Sequence, residues 1–188
     1  MRKIISGRRP DQRAFKFTIN TGSHSGTSPA GTMILPIPSG SASGGGLISM
    51  SIDWGDGNTS ELNSVNHGTA RQHTYTTGGT YQISITGAIR GWEFGGMSSG
   101  ANQDDAKKMS SIDQWGDFKF TERRAFTGCS NMTAIQCTDL PTFERSTVGF
   151  NMFSGCTKLQ RINRWNDWNV SNLTTGYAMF SGCNALRF

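Results

Sequence analysis

Apolar and polar residues alternate along several short stretches of this chain. Phe15, Phe17 and Ile19 alternate with Lys16 and Thr18, the period-two pattern of a half-buried strand. Met33-Ile34-Leu35-Pro36-Ile37 is a second apolar run, and its proline assigns it to an edge strand. Ile48, Met50 and Ile52 share one face of a third strand, which Asp56-Gly57 closes in a tight turn. After Gly78-Gly79-Thr80, the residues Tyr81, Ile83 and Ile85 alternate again. The stretches 21–30 and 40–46 are rich in Gly, Ser and Thr and read as loops.

Beyond residue 108 the pattern changes from alternation to a long period. Phe126-Thr127-Gly128-Cys129, Phe153-Ser154-Gly155-Cys156 and Phe180-Ser181-Gly182-Cys183 follow one another at a constant interval, Cys129 to Cys156 matching Cys156 to Cys183. An apolar residue stands three places after each cysteine (Met132, Leu159, Leu186), and Ile135 and Ile162 come three places later still. A fixed period of this length with a Cys-x-x-Leu-x-x-Ile core predicts stacked turns of a leucine-rich-repeat solenoid, each burying the face of the next. Trp115-Gly116-Asp117-Phe118 resembles Trp165-Asn166-Asp167-Trp168, but the interval between them is not a multiple of the period. The first turn is therefore expected to be irregular.

These motifs carry two resemblances. Phe-Ser-Gly-Cys-x-x-Leu, led into by Trp165 to Leu173, resembles the BspA-like leucine-rich repeat over residues 109–188. That family occurs in bacterial surface proteins and bacteriophage structural proteins. The likeness implies attachment or display and brings no catalytic residues. Asp53-Trp54-Gly55-Asp56-Gly57, then His73-Thr74-Tyr75, then Gly79-Thr80-Tyr81 with Ile83 and Ile85 resemble a PKD-type β-sandwich over residues 14–90. Trp54 stands where that family usually has Phe. This likeness implies an immunoglobulin-like module for adhesion or spacing. The expected fold is mainly β: a basic arm (1–13), a PKD/immunoglobulin-like sandwich (14–90), a junction (91–108) in which Trp92 and Phe94 pack, and a short leucine-rich-repeat-type solenoid (109–188).

Composition agrees with turn-rich β structure, with 24 glycines and 16% charged residues in 188. The net charge of +5 is concentrated at one end. Arg2, Lys3, Arg8, Arg9, Arg13 and Lys16 face Asp11 alone, and the rest of the chain is neutral. The arm reads either as a solvated tail or as an electrostatic anchor for an acidic partner. A nucleic-acid partner is disfavoured, because the body shows no basic face with interleaved aromatics. No run of about 18 apolar residues offers a membrane span, and the basic start has no apolar stretch behind it, unlike a secretory signal.

Cys129, Cys156 and Cys183 share one repeat position and are expected as a reduced, inward column, leaving Cys137 as the accessible thiol. No Cys-x-x-Cys or nearby His suggests a metal site, and Gly-Asp-Gly lacks the carboxylate density of a calcium loop. His73 with Asp53 or Asp56 is the one His–carboxylate pairing the fold could bring together, and turn hydrogen bonding accounts for it. His24 and His67 lie in loops without partners. No nucleophile elbow or phosphate-cradling loop is present, so neither catalytic residues, cofactor nor metal is assigned. Trp165, Trp168 and Tyr177 are candidates for ligand binding: either both tryptophans pack on neighbouring turns or one is exposed to sugars or protein partners. Leu186 and Phe188 end a shortened last turn, as a plug or, the preferred reading, a subunit interface.

Without an export signal, two adhesion-type modules suit a bacteriophage virion protein that assembles in the host cytoplasm. Its partners would be other capsid or tail proteins, host-surface glycans or proteins, and further copies of itself. The alternative is a cell-surface or secreted carbohydrate-binding adhesin.

Overall fold

The structure is a computed structural model that describes residues 10–22, 28–37, 49–63, 70–88, 92–95, 105–144 and 148–187. It is mainly β with almost no helix. In chain order come a single helical turn α1 (Pro10–Arg13) and the strands β1 (Phe15–Asn20), β2 (Thr32–Ile34), β3 (Ser49–Asp53), β4 (Thr59–Asn63), β5 (Gln72–Thr74) and β6 (Thr80–Ala88). They are followed by β7 (Met109–Gln114), β8 (Lys119–Phe120), β9 (Ala134–Ile135), β10 (Thr142–Phe143) and β11 (Arg161–Ile162). Short 3-10 turns cover Asp105–Lys108 and Trp165–Asp167.

β1 occupies the middle of a seven-stranded mixed sheet ordered β11-β9-β7-β1-β6-β3-β4. Its alternation is read out directly: Phe15, Phe17 and Ile19 are fully buried, while Lys16, Thr18 and Asn20 are half-exposed. β6 pairs antiparallel on one side, Phe15 opposite Ile85. β7 pairs antiparallel on the other, with register shifts after Lys16 and Thr18 that mark bulges. From β7 outward the sheet turns parallel, through β9 and β11. Strands from 14–90 and from 109–188 are thus hydrogen-bonded edge to edge. β2 ends before Pro36 and among the described residues pairs only with β5, in a separate two-stranded sheet, as a proline-bearing run should.

One hydrophobic core runs under the whole sheet. Phe15 is its centre, with ring centroids 4.9 Å from Phe118, 5.4 Å from Trp92 and 5.8 Å from Phe120. Trp92 and Phe94 are buried in it, packed as the junction reading expects. Where the chain enters β1, Gly116 approaches it closely: its φ is +61°, and a Cβ there would lie 2.3 Å from the Ala14 carbonyl oxygen. Only glycine allows that approach. It lets Asp117 N–H donate to the Arg13 carbonyl (2.8 Å) and Gln114 Nε2 to the carbonyls of Asp11 and Ala14 (2.8 Å each).

The repeat copies lie on one another in register. The N–H groups of Arg124, Phe126 and Gly128 donate to the carbonyls of Phe150, Met152 and Ser154; those of Asn151, Phe153 and Gly155 donate to Tyr177, Met179 and Ser181. Phe126, Phe153 and Phe180 stack with centroids 5.4 and 5.5 Å apart and planes within 6° and 3°. Backbone conformation repeats too. Arg124, Asn151 and Ala178 all adopt left-handed φ (58°, 53° and 51°), as do Gly128, Gly155 and Gly182 (77°, 76° and 75°). Ile135 and Ile162 meet in the β9–β11 pair. The step before them is shorter, with Ile112 opposite Ile135, so the first turn departs from the period.

Cys129 and Cys156 are fully buried and Cys183 is half-buried, and all four cysteines are free thiols. Cys156 and Cys183 donate to the carbonyls of Phe126 and Phe153 at 3.3 and 3.2 Å. Cys137 corrects an expectation: it is fully buried, because it follows β9 inward and its thiol faces the Ile112 carbonyl at 3.5 Å. Burial and the nearby Asp139 and Asp113 push its pKa up; contact with Cys129 does so for Cys156, and contact with Cys156 for Cys183. Neutral, shielded thiols react slowly. A thiol reagent is therefore expected to modify Cys183 first in the native protein and Cys129, Cys137 and Cys156 only on unfolding, as peptide mapping would show. Native labelling of Cys156 as fast as Cys183 would contradict the column.

Candidate ligand-binding face of the repeats

Of the three aromatic candidates, two are exposed. Trp165 opens the 3-10 turn after β11 and is 44% exposed. The turn is held from both sides by Arg164, itself left-handed at φ 55°, whose guanidinium donates to Asp167 at 2.9 Å and to the Thr138 carbonyl at 2.6 Å. Tyr177 is 67% exposed. It stacks on Phe150 at 5.4 Å, and the guanidiniums of Arg123 and Arg124 lie 5.4 Å from the Phe150 ring centre. Arg123, Phe150 and Tyr177 again stand one period apart, so a cation and two rings form a column along the stack.

Trp168 is the exception among the candidates. It is buried, edge-on to Trp115 at 5.8 Å and packed on Phe143 and Phe153. A residue that joins the irregular first turn to the later ones is a core anchor rather than a ligand contact. Leu186 is half-buried against the core, and Arg187 N–H donates to the Gln160 carbonyl at 3.0 Å, so the last turn is tied to its neighbour. Phe188 lies outside the described residues.

Of the six basic anchoring candidates, Arg2, Lys3, Arg8 and Arg9 lie outside the described residues. Arg13 is engaged by the body, its Nε 2.6 Å from Asp117. Lys16 is part of β1 on the polar face of the sheet. His24 and His67 also fall outside.

His73 Nε2 meets Asp56 at 2.7 Å, while Asp53 accepts from Gly55 N–H at 2.9 Å. The imidazole stacks on Trp54 at 5.0 Å, and Tyr75 hydroxyl donates to the Trp54 carbonyl at 2.9 Å. The pair thus closes a turn over a buried ring. Burial pushes the Asp56 carboxyl up, but hydrogen bonds from His73 and Asn58 prevail and hold it below its ordinary value. A depressed folded pKa gives stability that is complete above the unfolded carboxylate value and lost as pH falls through the folded one. Asp56→Asn is expected to flatten the acid limb of a melting-temperature-against-pH curve below about pH 4; an unchanged slope would assign that limb to other carboxylates.

The most constrained polar cluster joins the end of the junction, at Asp105 and Lys108, to Ser28 and β2. Lys108 is fully buried, its ammonium 2.8 Å from Asp105 Oδ1 and 2.5 Å from the Thr32 carbonyl, and it also donates to Ser28 Oγ. Ser28 donates to Asp105 Oδ1 at 2.5 Å, and Ile34 N–H to Oδ2 at 2.8 Å. Serine, lysine and aspartate in contact suggest chemistry, but all three are sealed from solvent. The cluster braces β2 against the start of β7. No signal in the sequence marks it, since Ser28, Thr32 and Ile34 stand far back along the chain from Asp105 and Lys108. Among the described residues no group of three or more His, Cys, Asp or Glu could hold a metal, and no helix is long and apolar enough to cross a membrane.

No family model, curated protein or solved structure matches this chain.

Proposed function

We propose that the chain is a bacteriophage virion structural protein, borne on the capsid, tail or a fibre, that displays an adhesion-like module to the host surface. In this reading residues 14–90 form a PKD-like sandwich and residues 109–188 a BspA-like leucine-rich-repeat solenoid. The observation that carries it is the register of the repeats, in which side chains, hydrogen bonds and left-handed backbone positions all recur with one period. Such a stack builds an extended face from few residues. Its attachment through β7 to β1 joins that face to the rest of the chain through a hydrogen-bonded sheet. Trp165 and Tyr177 supply exposed aromatic contacts on the repeats. Arg2, Lys3, Arg8 and Arg9 supply the charge for docking to acidic neighbours on the particle, where many copies assemble together.

The test is mass spectrometry of gradient-purified particles. The chain is expected in many copies per particle. Deleting residues 1–9, which removes Arg2, Lys3, Arg8 and Arg9, is expected to abolish incorporation, with a melting curve of the shortened chain to separate loss of docking from loss of folding. Detection in the bacterial envelope and never on particles would replace this reading with a cell-surface adhesin.

A further inference from the structure

Charge is unevenly placed on the repeats. Between Val148 and Arg187 the chain carries Lys158, Arg161, Arg164 and Arg187 against Asp167 alone, and all four cations are exposed. The stacking sets one of them, Arg187, beside the strand that carries Arg161. Gln160 N–H donates to the Thr133 carbonyl and Arg187 N–H to the Gln160 carbonyl, so Arg187 lies beside Lys158–Arg161. Lys158 is held by Asn131 at 2.7 Å, and Arg164 by Thr138 and Asp167. The guanidiniums of Arg161 and Arg187 have no hydrogen-bond or ion-pair partner among the described residues. Trp165 follows Arg164 directly, and the exposed amides of Asn166 and Asn172 are close in sequence.

We propose that this face binds an anionic polysaccharide, with Arg161 and Arg187 pairing to its acidic groups and Trp165 stacking on a sugar ring. The inference rests on the display reading above and gives its ligand a chemical class. Guanidinium forks suit carboxylate and other oxyanions bidentately, an indole offers a flat apolar face with a polar edge, and amides serve hydroxyls as both donors and acceptors. A single-stranded nucleic acid would require several stacking rings along a continuous cationic groove. Here Trp165 directly follows Arg164, and the other exposed ring, Tyr177, is stacked on Phe150.

The test uses the full chain and titrates polygalacturonate, neutral dextran and oligothymidylate at low salt. Polygalacturonate is expected to bind with an affinity that falls as salt rises, and dextran not to bind. The double variant Arg161→Ala/Arg187→Ala and the single variant Trp165→Ala are each expected to weaken binding about tenfold or more. Lys119→Ala, which removes an exposed cation elsewhere, should leave it unchanged, and all variants should melt like the parent. Equal binding by parent and variants, equal loss in Lys119→Ala, binding of dextran, or tighter binding of oligothymidylate would each overturn the proposal. Particle incorporation of the same variants is scored separately. A chain that binds polygalacturonate but is absent from particles would keep this inference and overturn the virion reading.

Discussion

Lys108→Ala is expected to destabilise the protein by about 3–5 kcal/mol, lowering its melting temperature by about 10 °C. The substitution strands Asp105, whose carboxylate is fully buried and would keep only Ser28 and the Ile34 N–H. It also leaves the Thr32 carbonyl without its ammonium donor. Replacing both charges, Lys108→Met with Asp105→Leu, removes the unpaired ion and should recover part of the loss. Full recovery is not expected, because Ile34 N–H loses its Asp105 partner and an orphaned donor costs about 1–3 kcal/mol, while the Thr32 carbonyl keeps only the Ser28 hydroxyl at 3.3 Å. Urea denaturation of the three proteins measures this. If Lys108→Ala unfolds at the parent's midpoint, the brace between β2 and β7 contributes nothing.

Phe153→Ala is expected to cost about 3–5 kcal/mol, and clearly more than Phe180→Ala. Phe153 is fully buried between two parallel rings, with Trp168 6.1 Å away. Its removal opens a cavity that Phe126 and Phe180 cannot fill without leaving the hydrogen-bonded register of the backbone. Among the described residues Phe180 stacks on one side only, and it is half-exposed, so its loss removes less contact. Denaturant midpoints for the two variants give the comparison. Equal costs would mean that the stack is held by its backbone ladder and not by its rings.

The parts of this fold that sequence makes legible are those whose determinants are local or periodic. Phe15, Phe17 and Ile19 announce β1 because alternation and burial are properties of a single strand. The Phe and Cys columns are visible because like residues recur at a constant step. The left-handed column was open to the same logic, yet Arg124, Asn151 and Ala178 share no chemistry, so only their spacing linked them. What could not be read depends on pairs distant along the chain. Trp168 is buried because Trp115 and Phe143 lie across from it, and Cys137 because Ile112 does. Nothing adjacent to Asp105 or Lys108 indicates that Ser28 and Thr32 will close over them. At the candidate face, Trp165 and Tyr177 were legible as residues. Their exposure, and the gathering of Arg161 with Arg187, follow only from the stacking of one turn on another.

Along the stacked rings, each backbone hydrogen bond joins a residue to the one just before its own counterpart in the next turn, as Phe126 joins Met152 and Phe153 joins Met179. Rings, thiols and left-handed positions return at the same step. The phase of each column is therefore locked to the others. Inserting one residue between Phe126 and Cys129 would break the common phase of ring, left-handed glycine and thiol, whereas the shorter step from Ile112 to Ile135 shows that connections outside these columns accommodate other lengths. Inserting one whole period shifts none of them and extends the stack by one strand spacing, about 4.8 Å. A protein built this way changes its reach only in whole steps. Its natural variation should add or remove whole turns, with other length changes confined to the connections between the columns, and each added turn offers a fresh, independently mutable strip of surface.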